Sequence, residues 1–135
     1  MEKIVKIGGK DCRLKTSAAL PRVYRLLLGR DIFQDVHTMV TTLSTTWMAS
    51  QQKDVELPSK EAQLEAVTLV ENLAFAMHKH GDPSQPNTVE KWLEQFDDEA
   101  ALTDSAIVME LIALWNHETE TTAEEKKKKD QSTGE

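Results

Sequence analysis

Residues 62–80 constrain this chain more than any other stretch. Leu64, Ala66, Val67, Leu69, Val70, Leu73, Ala74, Phe75, Ala76 and Met77 cover most of a helix circumference. A helix that is apolar nearly all round has to be surrounded by other elements. The fold is therefore expected to wrap around this segment. Ser59 is a candidate N-cap for it, and Gly81, Pro83 and Pro86 end it.

The segments on either side supply the wrapping. Lys3 to Ile7 and Lys10 to Lys15 read as two strands joined by Gly8-Gly9, because glycine tolerates the positive φ of a tight hairpin. Such a hairpin is marginal alone and has to lie on something apolar. Leu20-Pro21 opens a helix carrying Val23, Tyr24, Leu26, Leu27 and Leu28, and Gly29 closes it. Asp31 can cap the next helix, where Ile32, Phe33, Val36, Val40, Leu43 and Trp47 recur at helical spacing. Thr41, Thr42, Thr45 and Thr46 weaken that helix without a turn signal to break it. Residues 51–58 read as a loop. After the central helix, Asn87 or Thr88 caps a short helix over Val89 to Phe96, and a last helix covers Asp104 to Trp115. The predicted fold class is mainly α: an N-terminal β-hairpin and about five helices in one domain over residues 1–116. Residues 117–135 have no apolar side chain larger than Ala123 and are expected to form a disordered polar tail.

A length of 135 residues suits one such domain, and the low aromatic content, 5%, suits a core of Leu, Val, Ala and Met. The net charge of -7 is polarised: residues 1–30 carry +6 and the remaining 105 carry -13. Head-to-tail self-association is one consequence of that polarity, and a solvated surface balanced within the fold is the plainer one. An acidic chain whose basic end lacks interleaved aromatics is not built for nucleic acid. Cys12 is the single cysteine, so no intrachain disulfide forms and a reducing compartment is expected. Charges interrupt the apolar stretch of MEKIVKIGGK, which therefore does not read as a signal peptide, and no run is long enough to span a membrane. The expected location is the cytoplasm.

No residue pattern calls for catalysis. His78 and His80 lie at i, i+2 and point to different sides of a helix, unlike the i, i+4 pair of a zinc helix. At a helix end they read as polar groups favoured by the dipole. Asp97, Asp98 and Glu99 lack the alternation and glycine of a calcium loop. Ile7-Gly8-Gly9-Lys10 is too short for a phosphate loop, Cys12 has no arranged histidine, and no strained serine elbow occurs. The expectation is a non-enzyme without catalytic residues, cofactor or metal. The remaining chemistry is that of Trp47, Trp92 and Trp115. Core packing is the commoner role of a tryptophan in a small helical domain. Trp92 and Trp115, on short helices beside acids, are the better candidates for partner contact.

Three segments, in order, carry a resemblance to a known family. The hairpin runs into KTSAALPRVYRLLLGRDIFQD; ENLAFAMHKHGDPSQPNTVEKWLEQFD follows; IVMELIALWN and a polar, lysine-containing tail close the chain. Together they resemble the tail assembly chaperones of long-tailed phages and prophages of Gram-positive bacteria, over all but roughly residues 44–60. Leu20, Pro21, Arg22, Tyr24, Arg25, Gly29, Arg30 and Asp31 match the first motif. Asp82, Pro83, Trp92, Leu93 and Phe96 match the second, and Leu111 and Trp115 the third. The linker DDEAALTDSA departs from the pattern, being polar where further large apolar residues are expected.

The resemblance implies a non-enzymatic, mostly helical protein of the host cytoplasm. It implies binding to the tape-measure protein and recruitment of tail-tube subunits, with departure before the tail is complete. Trp92, Leu93, Phe96, Leu111 and Trp115 are the partner-binding residues expected on this reading. The alternative is a small tail or connector protein retained in the virion, and a regulatory adaptor unrelated to phage is a further option. The family also makes a longer form by ribosomal frameshifting, and Glu124-Glu125-Lys126-Lys127-Lys128-Lys129 can encode the A-rich heptamer this requires.

Overall fold

The computed structural model describes residues 1–116. The expected tail over 117–135, and the lysine run within it, lie outside the described residues.

The chain opens as an antiparallel hairpin of β1 (Glu2–Ile7) and β2 (Lys10–Lys15), with Val5 opposite Cys12 and Ile7 opposite Lys10. Gly8 and Gly9 have φ of 54° and 83°, as a two-residue type I′ turn demands. Alternation puts Val5, Ile7, Cys12 and Leu14 on one buried face, while Ile4 points outward. Five helices follow: α1 (Leu20–Leu28), α2 (Ile32–Gln51), α3 (Lys60–Gly81), α4 (Val89–Leu93) and α5 (Ser105–Trp115).

The helix ends fall where local chemistry sets them. Gly29 closes α1 in the left-handed conformation, φ 67°, with its N–H donating to the Arg25 carbonyl. The Asp31 side chain accepts from the Phe33 N–H at 3.0 Å, and Ser59 accepts from Ala62 at 3.1 Å. Thr88 and Asp104 cap α4 and α5 in the same way. The threonines of α2 do not break it, and Thr45 and Thr46 donate their hydroxyls back to the Thr41 and Thr42 carbonyls. The fourth helix is shorter than expected: it stops at Leu93, and Glu94 and Gln95 continue as a turn.

Helix α3 is the axis of the domain and packs against β2, α1, α2, α4 and α5. Its C-terminal half is buried without a break from Asn72 to His78. Its N-terminal half is not: Leu64 is exposed, and no residue from Thr41 to Glu65 is buried. The first part of α3 and the second part of α2 thus form a two-helix arm beyond the core. The polar linker before α5 is nevertheless anchored, since Ala101 and Leu102 are buried and the Ala101 side chain lies against the Gly8 turn. Among the described residues no helix is long and apolar enough to cross a membrane.

Candidate partner-binding surface

The five residues expected to meet a partner do not share one surface. Trp92 and Leu111 are 0% exposed. Leu93 and Phe96 are half-buried on the α4 side, and Trp115 is half-buried at the end of α5. Placing Trp92 at a surface is a correction to make. The short helix that carries it is pinned at both ends, by Thr88 and by the Gln95 side chain, and the indole points inward onto α3. There Trp92 packs on Phe75 and takes the edge of Phe96 at a centroid separation of 4.9 Å. Its Nε1–H donates to Nδ1 of His78 at 2.9 Å, so the indole's one polar atom is satisfied inside the core. Leu111 is likewise core, on the inward side of α5.

The opposite correction applies to Trp47. Core packing is the default for a tryptophan recurring at helical spacing, but here it is 66% exposed on the arm. Met48, Leu57 at 63% and Leu64 at 60% are also exposed. At the other end of α2, Phe33 is 61% exposed and meets the edge of Trp115, with centroids 5.6 Å apart. Phe33, Val36, His37, Val40, Trp115 and Asn116 line an open groove of about 300 Å³ between α2 and α5. Of the five expected residues, Trp115 alone belongs to this apolar surface.

A signal for it existed in the sequence. Residues 36–52 contain no Asp, Glu, Lys or Arg, in a chain with 29% charged residues. An amphipathic helix facing solvent normally carries charge on its outer side. The outer side of α2 instead presents Phe33, His37, Val40, Ser44, Trp47, Met48 and Gln51, one stripe along the whole helix.

A second depression, about 500 Å³, is polar, with Lys10, Arg13, His78, Asp82 and Gln95 among its walls. Cys12 reaches it too, but its Sγ is buried near the Lys10 carbonyl, and desolvation pushes the thiol above its ordinary pKa, so it stays protonated. His78 is held neutral by burial, which lowers its pKa against a small opposing pull from Asp82. Accepting from Trp92 at Nδ1 fixes the proton on Nε2. His80 points elsewhere, and its Nε2 is 2.7 Å from the Ser17 hydroxyl. The two histidines therefore serve two separate packing contacts. The Asp82 carboxylate accepts from Ser84 and Gln85 and is held down to about 2.

The last polar cluster secures α1 to α2. Asp35 is 5% exposed, accepts from Tyr24 at 2.7 Å, and is paired with both nitrogens of the Arg30 fork. Burial alone would raise the Asp35 pKa, but the hydrogen bonds from Arg30 and Tyr24 outweigh it and hold the carboxylate below its ordinary value. Arg30 and Tyr24, both marked as motif positions in the sequence, are thus explained by the fold.

Comparison with family models, with curated proteins and with solved structures finds no match to this chain.

Proposed function

We propose that this chain is a phage tail assembly chaperone that holds the tape-measure protein in solution and recruits tail-tube subunits to it. The observation that carries this reading is the stripe of α2 that lacks charge, with Phe33 and Trp47 mostly exposed on it and Trp115 beside it. Large exposed apolar side chains on a soluble domain mark a contact surface. A helix face with Phe33, Val40 and Trp47 at i, i+7 and i+14 suits another amphipathic helix, and a long tape-measure protein is rich in such segments on this reading. The core of α3 keeps the fold intact while the arm engages, because the two are built from different residues. The three ordered sequence motifs support the family reading, and the stripe supports α2 as its contact surface.

Coexpression tests the proposal. With the tape-measure protein encoded beside this chain, the larger protein should become soluble and copurify with it. Phe33→Glu should abolish that solubility while leaving the helical signal unchanged. A tape-measure protein that is equally insoluble with and without this chain, or this chain found in finished virions, would overturn the chaperone reading.

A further inference from the structure

The same face of α2 carries a hole and a knob. The hole is the groove lined by Phe33, Val36, His37, Val40 and Trp115 in the N-terminal half. The knob is exposed Trp47 with Met48 in the C-terminal half. Fourteen residues separate Phe33 from Trp47, roughly 21 Å along the axis. We infer that α2 of a second copy of this chain occupies this face in antiparallel orientation, each copy inserting Trp47 and Met48 into the other's groove.

The residue order along the stripe fits this pairing. Phe33, His37, Val40, Ser44, Trp47 and Gln51 alternate by four and three, the spacing of a helix seam. Laid antiparallel about its own midpoint, the seam sets Phe33 opposite Gln51, His37 opposite Trp47 and Val40 opposite Ser44. Every bulky group meets a smaller or flatter one, and the two small residues meet at the centre, where the helices approach most closely. A parallel pairing would stack Trp47 on Trp47 and Phe33 on Phe33 and would leave both grooves empty.

Charge supports a self-contact in particular. In this seam the residues close to the axis, around position 42, lie near their own copies, where like charges would repel. The run from Val36 to Gln52, without Asp, Glu, Lys or Arg, spans the axis and keeps every such like-charge contact out of the seam. The chain's own C-terminal residues are no substitute filler, because 117–135 offer no apolar side chain larger than alanine. Antiparallel exchange of knob and hole closes with two copies and leaves no open end to propagate. Pairing covers Phe33 and Trp47 in the free protein, whether or not the stripe later receives a tape-measure helix.

Molar mass by light scattering across a concentration series tests it on the full chain. The expected result is a dimer that dissociates on dilution. Ser44→Glu puts a new carboxylate at the seam centre from an exposed position and should weaken pairing by about 30-fold or more, with unchanged helicity and unfolding. Val40→Lys/Ser44→Glu discriminates orientation. Antiparallel copies set the new ammonium against the new carboxylate twice and recover the dimer, whereas parallel copies set like against like and stay apart. A monomer at all concentrations, a Ser44→Glu protein that still dimerises as tightly, or no recovery in the double variant would each overturn the inference. These readings need no tape-measure protein, so their failure leaves the solubility test of the chaperone reading standing.

Discussion

The Nε1–H of Trp92 donates to Nδ1 of His78 across 2.9 Å in the middle of the domain. It joins the short α4 to the central helix α3 and leaves the largest of the fully buried side chains without an unpaired polar atom. Two losses are thereby separable. Trp92→Ala removes the packing on Phe75 and Phe96 and should cost about 3–5 kcal/mol. Trp92→Phe keeps most of the packing but strands the buried Nδ1, at about 1–3 kcal/mol. Urea unfolding checks both; equal losses would mean the hydrogen bond contributes nothing.

The same contact sets a pH dependence. Burial lowers the pKa of His78 and, less deeply inside, of His80, where Lys15 and the N-terminus act in the same direction. The unfolded chain therefore binds more protons than the folded one below the ordinary histidine value of 6.5. Stability contributed by the neutral rings is full above that pH and is lost as pH falls through 6.5 towards the folded pKa values. Glu71, raised by burial, acts in the opposite direction nearer its ordinary 4.5, and Asp35 contributes a loss only below its ordinary 3.8. Melting temperature should be level from pH 8 to 7 and should fall between 6.5 and 5. His80→Gln should reduce the slope by part and leave the His78 contribution. A flat profile across that interval would show that neither ring's proton is linked to folding.

Gly81 is tightly placed at the end of α3. Its backbone is helical, so alanine would ordinarily be favoured there. But a Cβ at this position would collide with the Arg13 carbonyl oxygen of β2, and backbone cannot swing aside as a side chain can. Gly81→Ala should destabilise by about 1–3 kcal/mol, the cost of overpacking. Gly29→Ala is the comparison: it has open space but a positive φ, and should cost about 1 kcal/mol through strain alone. If Gly81→Ala proves neutral or stabilising, the helix end and β2 are less closely packed than they stand here.

Most of the fold was legible because local chemistry sets it. Gly8-Gly9, Gly29, Asp31, Ser59 and Pro83 each impose a backbone geometry or a cap that needs no tertiary context, and the hairpin and helix boundaries follow. The continuous apolar run to Met77 identified the axis of the domain for the same reason. The surface was harder to read. Whether a tryptophan at helical spacing points in or out depends on which of its neighbours has a partner, and that is settled only by assembly. Trp92 reads like a contact residue because its helix is short and acidic, yet His78, fourteen residues earlier, supplies the acceptor that admits it to the core. Trp47 reads like core, yet α2 outruns the core after Leu43. The absence of charge from Val36 to Gln52 was the missed signal, since it marks a face by what it lacks.

The polar cluster between α1 and α2 makes a different prediction. Asp35 is buried, and its charge is balanced by Arg30 and by the Tyr24 hydroxyl. Tyr24→Phe removes one hydrogen bond to a carboxylate and should cost about 1.5–3 kcal/mol. Asp35→Asn keeps the shape but loses the charge that the Arg30 fork was built to meet, and should cost at least as much. Denaturant midpoints compare the two. A Tyr24→Phe loss far below 1 kcal/mol would place the work of the cluster on Arg30 alone.

Trp47 and Trp92 should finally part company when stability and association are measured together. Trp47 is two-thirds exposed on the arm, so Trp47→Ala removes little that the folded monomer buries. Its unfolding free energy, measured dilute enough that copies are separate, should stay within about 0.5 kcal/mol of the parent. Association through α2 should weaken by about 1–3 kcal/mol, as truncation of an aromatic anchor does. Trp92→Ala should show the reverse, a large loss of stability and no direct effect on association, because its side chain never reaches the surface. Trp115→Ala lies between them: it is half-buried, packs edge-on to exposed Phe33, and should lower both quantities. Sedimentation or light scattering paired with urea unfolding on the three variants decides the matter. If Trp47→Ala unfolds as easily as Trp92→Ala, the arm is packed inside the domain and the uncharged stripe of α2 is no contact surface.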